Sequence, residues 1–188
     1  MRHWKIVMGI PRLLLLICMI CLVQMACGET IDLGPVSVYM DLEDLKVQSV
    51  EKEDAISMDH SKGGVEFQYT IYPATITMED GHRIWIEVHQ MNAPVPLDAP
   101  ISEREDATGI EHCIMESSMM PRRVSFEKEV RTIDGQDGWL FTINNGALYI
   151  AGWSPDQLDG SGSIICIVGS DMPWESTEGI FGSLRTDF

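Results

Sequence analysis

Positive charge is scarce in this chain. Lysine and arginine total 13 against 29 aspartates and glutamates over 188 residues, a formal net charge of −16, and the isoelectric point lies near 4.5. Phosphate backbones and anionic lipid surfaces are held by clustered Lys and Arg. The balance therefore excludes nucleic acid as a main partner and leaves membrane contact to the N-terminal segment. Metal-ligand spacings such as HxxxH or HxH are missing. So are the GxSxG elbow, the Asp-x-Asp-x-Asp-Gly calcium pattern and any Asn-x-Ser/Thr glycosylation site. Wholesale disorder is excluded too, because 45% of the residues are apolar, an ordinary globular share.

What is present begins with an export signal. Arg2, Lys5 and Arg12 flank an unbroken apolar run from Leu13 to Val23, small residues follow at Ala26 and Gly28, and no acidic residue precedes Glu29. That layout is a secretory signal over residues 1–28. Two processing routes stay open. Ala26-Cys27-Gly28 suits cleavage before Glu29, and Ala26-Cys27 resembles the end of a lipobox with Cys27 as the lipidated residue. An uncleaved anchor is the third route, although the run falls short of the roughly 20 residues that span a bilayer. The leader holds three of the 13 positive charges and none of the 29 negative ones, so residues 29–188 carry ten positive charges against 29, or −19. Cys18 and Cys21 lie inside the apolar run, which removes their CxxC spacing from consideration as a metal or redox motif. Cys113 and Cys166 remain. In an oxidising compartment they are candidates for one disulfide, or they are two separate buried thiols.

Residues 29–35 read as a short lead, and residues 36–188 as a single domain. Period-two alternation marks strands at Val36–Leu42, Val65–Ile71 and Ile84–Val88, with a polar edge strand at Lys46–Glu53. Ser61–Gly64 and Glu79–Gly81 read as turns, and Pro73 as an interruption. Ile84, Ile86 and Val88 share one face; Arg83, Trp85, Glu87 and His89 share the other. Pro94, Pro96 and Pro100 favour an extended connector. Ser102 with Glu105 forms a capping box that starts a helix over about 102–120, ended by Pro121. Strands follow at 124–130, 139–143 and 147–153, the last two joined through Asn144-Asn145-Gly146. The continuous apolar run Ile164–Val168 reads as a buried central strand. Pro173 opens a final helix to about 185, with Ser170 or Asp171 as its cap. The order predicts an α+β, two-layer sandwich: a curved antiparallel sheet with both helices on one face.

The outline resembles the PsbP-like fold, shared by lumenal photosystem proteins, a nuclear-transport factor and many exported prokaryotic proteins. The resemblance spans residues 36–186. It is most specific at the end: TIDGQDGWLF (132–141), ALYIAGWSPD (147–156), IICIVGS (164–170) and MPWESTEGIFGSL (172–184). It brings no catalytic motif and no cofactor. By analogy it implies a binding or assembly role for an unidentified protein or small ligand at the cell envelope.

The residues themselves add little chemistry. His60 with Asp59 and His82 is a conceivable metal set from two turn regions. Glu111-His112-Cys113 invites a nucleophile reading, but neighbouring helical residues point about 100° apart, so His112 does not activate Cys113. Gly160-Ser161-Gly162 precedes a strand, so it is not a phosphate cradle. Asp134–Gly138 and Asp156–Gly160 are acidic turns. Trp85, flanked by Arg83 and Glu87, would stand on the open face of the sheet as a candidate binding surface. The expectation is a non-enzymatic exported domain. A lipid-anchored accessory subunit and a hydrolase with a dispersed site are the rivals.

Overall fold

The computed structural model describes residues 28–42, 44–62, 65–91, 105–155 and 163–188. They form two antiparallel sheets and two helices. The small sheet has β1 (Gly28–Asp32), β2 (Ser37–Asp41) and β11 (Arg185–Asp187) in the order β1-β2-β11. The large sheet has eight strands. β3 (Val47–Lys52), β4 (Ile56–Lys62), β5 (Val65–Met78) and β6 (Arg83–Met91) precede helix α1 (Glu105–Glu116). β7 (Phe126–Ile133), β8 (Gln136–Ile143), β9 (Leu148–Trp153) and β10 (Ser163–Ser170) follow it, before helix α2 (Trp174–Ser183). The sheet order is β3-β5-β6-β10-β9-β8-β7, with β4 also on β5. No helix of the described residues is long and apolar enough to cross a membrane.

Alternation decides which side chains meet. In β10, Ile165 and Ile167 enter one core and Ile164, Cys166 and Val168 the other. In β6, Ile84, Ile86 and Val88 are fully buried on one side, as their spacing predicts, while Trp85 packs on the other. The first core lies between the large sheet, the small sheet and α2, and includes Val38, Met40, Ile180 and Phe181. The second lies under α1 and includes Ile110, Ile114, Phe141 and Ile150. The helices therefore cover opposite faces of the large sheet, and the expected two-layer arrangement with both on one face is corrected. The physical reason is visible in β10, all eight of whose residues are buried. A strand apolar on both faces needs cover on both.

Four local expectations also change. Residues 29–35 are not merely a lead, because β1 pairs with β2 from Gly28↔Asp41 to Asp32↔Ser37. His60 lies in strand β4, opposite Phe67, rather than in a loop. Pro73 does not interrupt β5, which runs unbroken for 14 residues. Its carbonyl accepts from Glu53 N at 3.1 Å, so its ring nitrogen faces that same edge, where the partner changes from β4 at Ile71 to β3 at Ala74. The ladder to β6 loses nothing there. Finally, α2 starts at Pro173 without a side-chain cap. Asp171 instead accepts from Arg83 N at 2.7 Å, and Ser170 Oγ lies 2.9 Å from Thr177 Oγ1.

The turns form as their residues dictate. Asp134 and Gly135 take φ of 52° and 73° between β7 and β8, and Asn144, Asn145 and Gly146 take 48°, 58° and 93° between β8 and β9. Asn, Asp and Gly tolerate this left-handed region best. Gly152 has a different task. A Cβ there would stand 2.7 Å from Ile114 Cδ1 and 3.1 Å from Ile110 Cγ2. Its missing side chain is what lets α1 approach β9.

Candidate functional site

The helical spacing of Trp174, Glu178, Phe181 and Gly182 places them on one face of α2. That face looks across to Arg131, Thr132 and Ile133 of β7, Leu140 of β8 and Ala151 of β9. Together these residues line a cleft of about 210 Å³. Ala151 keeps its floor low, and a Cβ on Gly182 would meet nothing within 4 Å. The Arg131 guanidinium carbon lies 5.5 Å from the Trp174 ring centre. Its Nη2 is 3.4 Å from Glu178 Oε1 and its Nε 3.3 Å from Glu129 Oε1. Tyr149 supports Trp174 from behind, with ring centres 4.9 Å apart. The walls are mainly apolar and the rim carries one cation between two carboxylates. The volume falls below the roughly 300–1,000 Å³ of usual ligand pockets, so the cleft suits a single side chain or a small ring.

The surface expected around Trp85 is arranged differently. Arg83 is exposed and its guanidinium carbon lies 4.8 Å from the Trp85 ring centre. Trp85 itself is half-buried against the α1 core. Glu87 is only 3% exposed. Glu87 therefore does not share an open face with Trp85 and Arg83, because Ser118, just after α1, bonds to it on that side of β6.

Glu87 belongs to a buried polar cluster. His89 Nε2 lies 2.7 Å from Glu87 Oε2, and Ser118 N and Oγ donate to Glu87 Oε1 at 2.9 and 2.5 Å. Burial pushes the Glu87 carboxyl up. The hydrogen bonds from His89 and Ser118, with the imidazole charge, outweigh it and hold the group below its usual 4.5. A carboxylate, an imidazole and a hydroxyl thus meet. The carboxylate stands in the middle and accepts from both the imidazole and the hydroxyl. Glu87 and His89 are buried and Ser118 is exposed just after α1, so the cluster pins the chain after α1 to the sheet.

The remaining candidates are scattered. Cys113 packs with Ile110 and Ile114, and Cys166 with Val88 and Val168 on the other side of the sheet. The expected Cys113–Cys166 disulfide is corrected accordingly: neither residue is in a disulfide, and the large sheet separates the two sulfurs. Burial pushes the Cys166 thiol far up, with the Asp134 charge adding to it, so it is not a reactive thiolate. His82 Nδ1 meets Asp171 Oδ1 at 3.3 Å, while Asp59 stands exposed on β4. Among the described residues no group of three metal-ligating side chains comes together. Cys27, Gly160-Ser161-Gly162 and Asp156–Gly160 lie outside the described residues.

The cleft itself was not apparent from the sequence. Trp174 appears there only within the stretch MPWESTEGIFGSL, and Arg131 belongs to none of the candidate sets. The available signal is the combination of Trp174, Glu178 and Phe181 with Gly182, an aromatic face ending in a residue too small to fill its own space. No family model, curated protein or solved structure matches the chain.

Proposed function

We propose that this chain is an exported, acidic, non-enzymatic binding domain of the cell envelope, which holds a small apolar group in the cleft between β7–β9 and α2. The observation that carries the reading is the cleft: an apolar floor, an aromatic wall in Trp174 and a charged rim in Arg131 and Glu178. Apolar walls supply affinity and a few placed charges supply orientation. The PsbP-like resemblance belongs to the same proposal. Its most specific stretches, within residues 132–184, fall on β8, β9, β10 and α2.

Attachment through a lipid on Cys27 is the second part of the proposal. The pairing of β1 begins at Gly28, and a Cβ on Gly28 would come within 2.0 Å of the Tyr39 ring. Processing before Cys27 keeps that glycine and its contact; a cut before Glu29 removes both.

Ligand-observed NMR with benzene, benzoate and benzamidine tests the cleft. Saturation transfer is expected from at least one of the three rings to the native protein. It should disappear in Ala151→Leu, whose side chain fills the floor. Equal transfer in both proteins, or none in either, ends the reading. The ranking of the three probes reports whether Arg131 or Glu178 governs the rim.

A further inference from the structure

The β7 edge ends the large sheet, and among the described residues no further strand pairs with its outer side. Seven of its eight residues are exposed, among them Val130 at 47% and Phe126 at 38%. α1 packs on β8, β9 and β10, and α2 on β2 and β9; they reach β7 through side chains, Glu111 Oε2 to Lys128 Nζ at 2.7 Å and Glu178 Oε1 to Arg131 Nη2 at 3.4 Å, and leave its outer backbone edge open. Asn144 N bonds to Ser125 O, and the pairs from Phe126↔Ile143 to Ile133↔Gln136 follow in register. Hydrogen-bonding direction alternates along a strand. Ser125, Glu127, Glu129, Arg131 and Ile133 therefore turn their backbone groups toward β8, and Phe126, Lys128, Val130 and Thr132 turn theirs outward. An eight-residue row of this kind is a template for another strand.

We infer that the partner is a second copy of this chain, joined β7 to β7 about a two-fold axis through Val130. The charges select that register. Antiparallel pairing must set outward-facing residues opposite one another. The registers that overlap five residues or more are centred on Lys128, Glu129, Val130 or Arg131. Centring on Lys128 opposes Lys128 to itself and Glu127 to Glu129. Centring on Glu129 or Arg131 opposes that residue to its own copy. Centring on Val130 opposes valine to valine, Glu129 to Arg131 on both sides of the axis, Lys128 to Thr132, and Glu127 to Ile133. It is the register with no like charges face to face, and like charges directly opposite destabilise a sheet. Val130, Lys128 and Thr132 then exchange their outward backbone groups across the seam. The exported chain's ten positive charges against 29 negative ones, or −19, oppose association. At about 0.15 M salt, charges more than roughly 8 Å from the seam are screened, while the seam pairs are in contact. The interface is isologous and closes on itself, so the exposed edge ends in a dimer rather than a fibre.

Sedimentation of the chain, expressed in full and purified after export, decides the matter. At about 0.1 mM, a concentration that populates even weak specific dimers, the native protein is expected at twice the single-chain mass. Glu129→Arg and Arg131→Glu should each sediment as one chain. Their equimolar mixture should return to the doubled mass, because Arg then faces Glu on both sides of the axis. Val130→Pro removes an outward N–H that the β8 ladder does not use, and should give a folded single chain by circular dichroism. A native protein that stays at single-chain mass overturns the inference. So does a doubled mass in both charge variants, or a mixture that fails to recover.

Discussion

Replacing Glu87 with alanine removes the acceptor of three hydrogen bonds at once. His89 Nε2 and the Ser118 N–H and hydroxyl all end on this carboxylate, and Glu87 and His89 are 3% and 0% exposed. Breaking a buried pair by deleting one partner leaves the other uncompensated, which costs roughly 3–5 kcal/mol. That is a large part of the 5–15 kcal/mol that holds a typical domain together. Ser118→Ala deletes one bond and keeps the backbone N–H bond, so it should cost about 1–2 kcal/mol. Glu87→Gln keeps the shape and removes the titration. The Glu87 carboxyl is held below its usual 4.5 in the folded chain. Its charge-dependent stabilisation is therefore complete above about pH 4.5 and is lost as pH falls through the lower folded value. The gap between native protein and Glu87→Gln should be widest near neutrality and narrow progressively below pH 4.5. Urea unfolding at a series of pH values measures all three variants. A loss below about 1 kcal/mol for Glu87→Ala, or a gap that stays constant down to pH 3, refutes the cluster as an ionised, load-sharing network.

Three further outcomes are expected. Cys113 and Cys166 should both titrate as thiols when native, unreduced protein is unfolded, and neither should react before unfolding; a missing pair of thiols would show that the sheet does not separate them. Gly152→Ala should lower stability by about 1–3 kcal/mol through overpacking against Ile110 and Ile114, measured by urea unfolding, whereas a neutral substitution would mean that α1 does not press on β9. The intact mass of the native protein should start at an acylated Cys27, and a start at Glu29 without acyl mass would remove the lipid anchor.

Most strand positions were legible because side chains alternate strictly along a strand, although β1 and β4 were not read as strands. Ile84, Ile86 and Val88 are buried as their spacing predicts, and the Asn144-Asn145-Gly146 hairpin forms because its residues accept positive φ. Pro73 misleads for a reason outside the local sequence: it sits where β5 exchanges one edge partner for another. β11 was not legible, because three residues, Arg185–Asp187, carry no period. They become a strand only because β2 offers an edge and Asp134 Oδ2 accepts from Thr186 N at 2.8 Å.

Chemistry divides along the same line. The acidic balance, the candidate leader and the absence of metal or nucleophile spacings are properties of residue types and their order, and the sequence alone determined them. Which face each helix covers is different. Ile164–Val168 is apolar at every position, so its pattern demands cover on both sides without saying which helix supplies which. Tertiary packing settled that, and three results follow from it. Cys113 and Cys166 are kept apart, Glu87 is buried with His89 and bonded to Ser118 instead of facing solvent beside Trp85, and α2 is set against β7–β9 to leave the cleft. Periodicity describes one element's own faces, whereas a site is made where faces of distant elements meet, and only the folded chain brings those together.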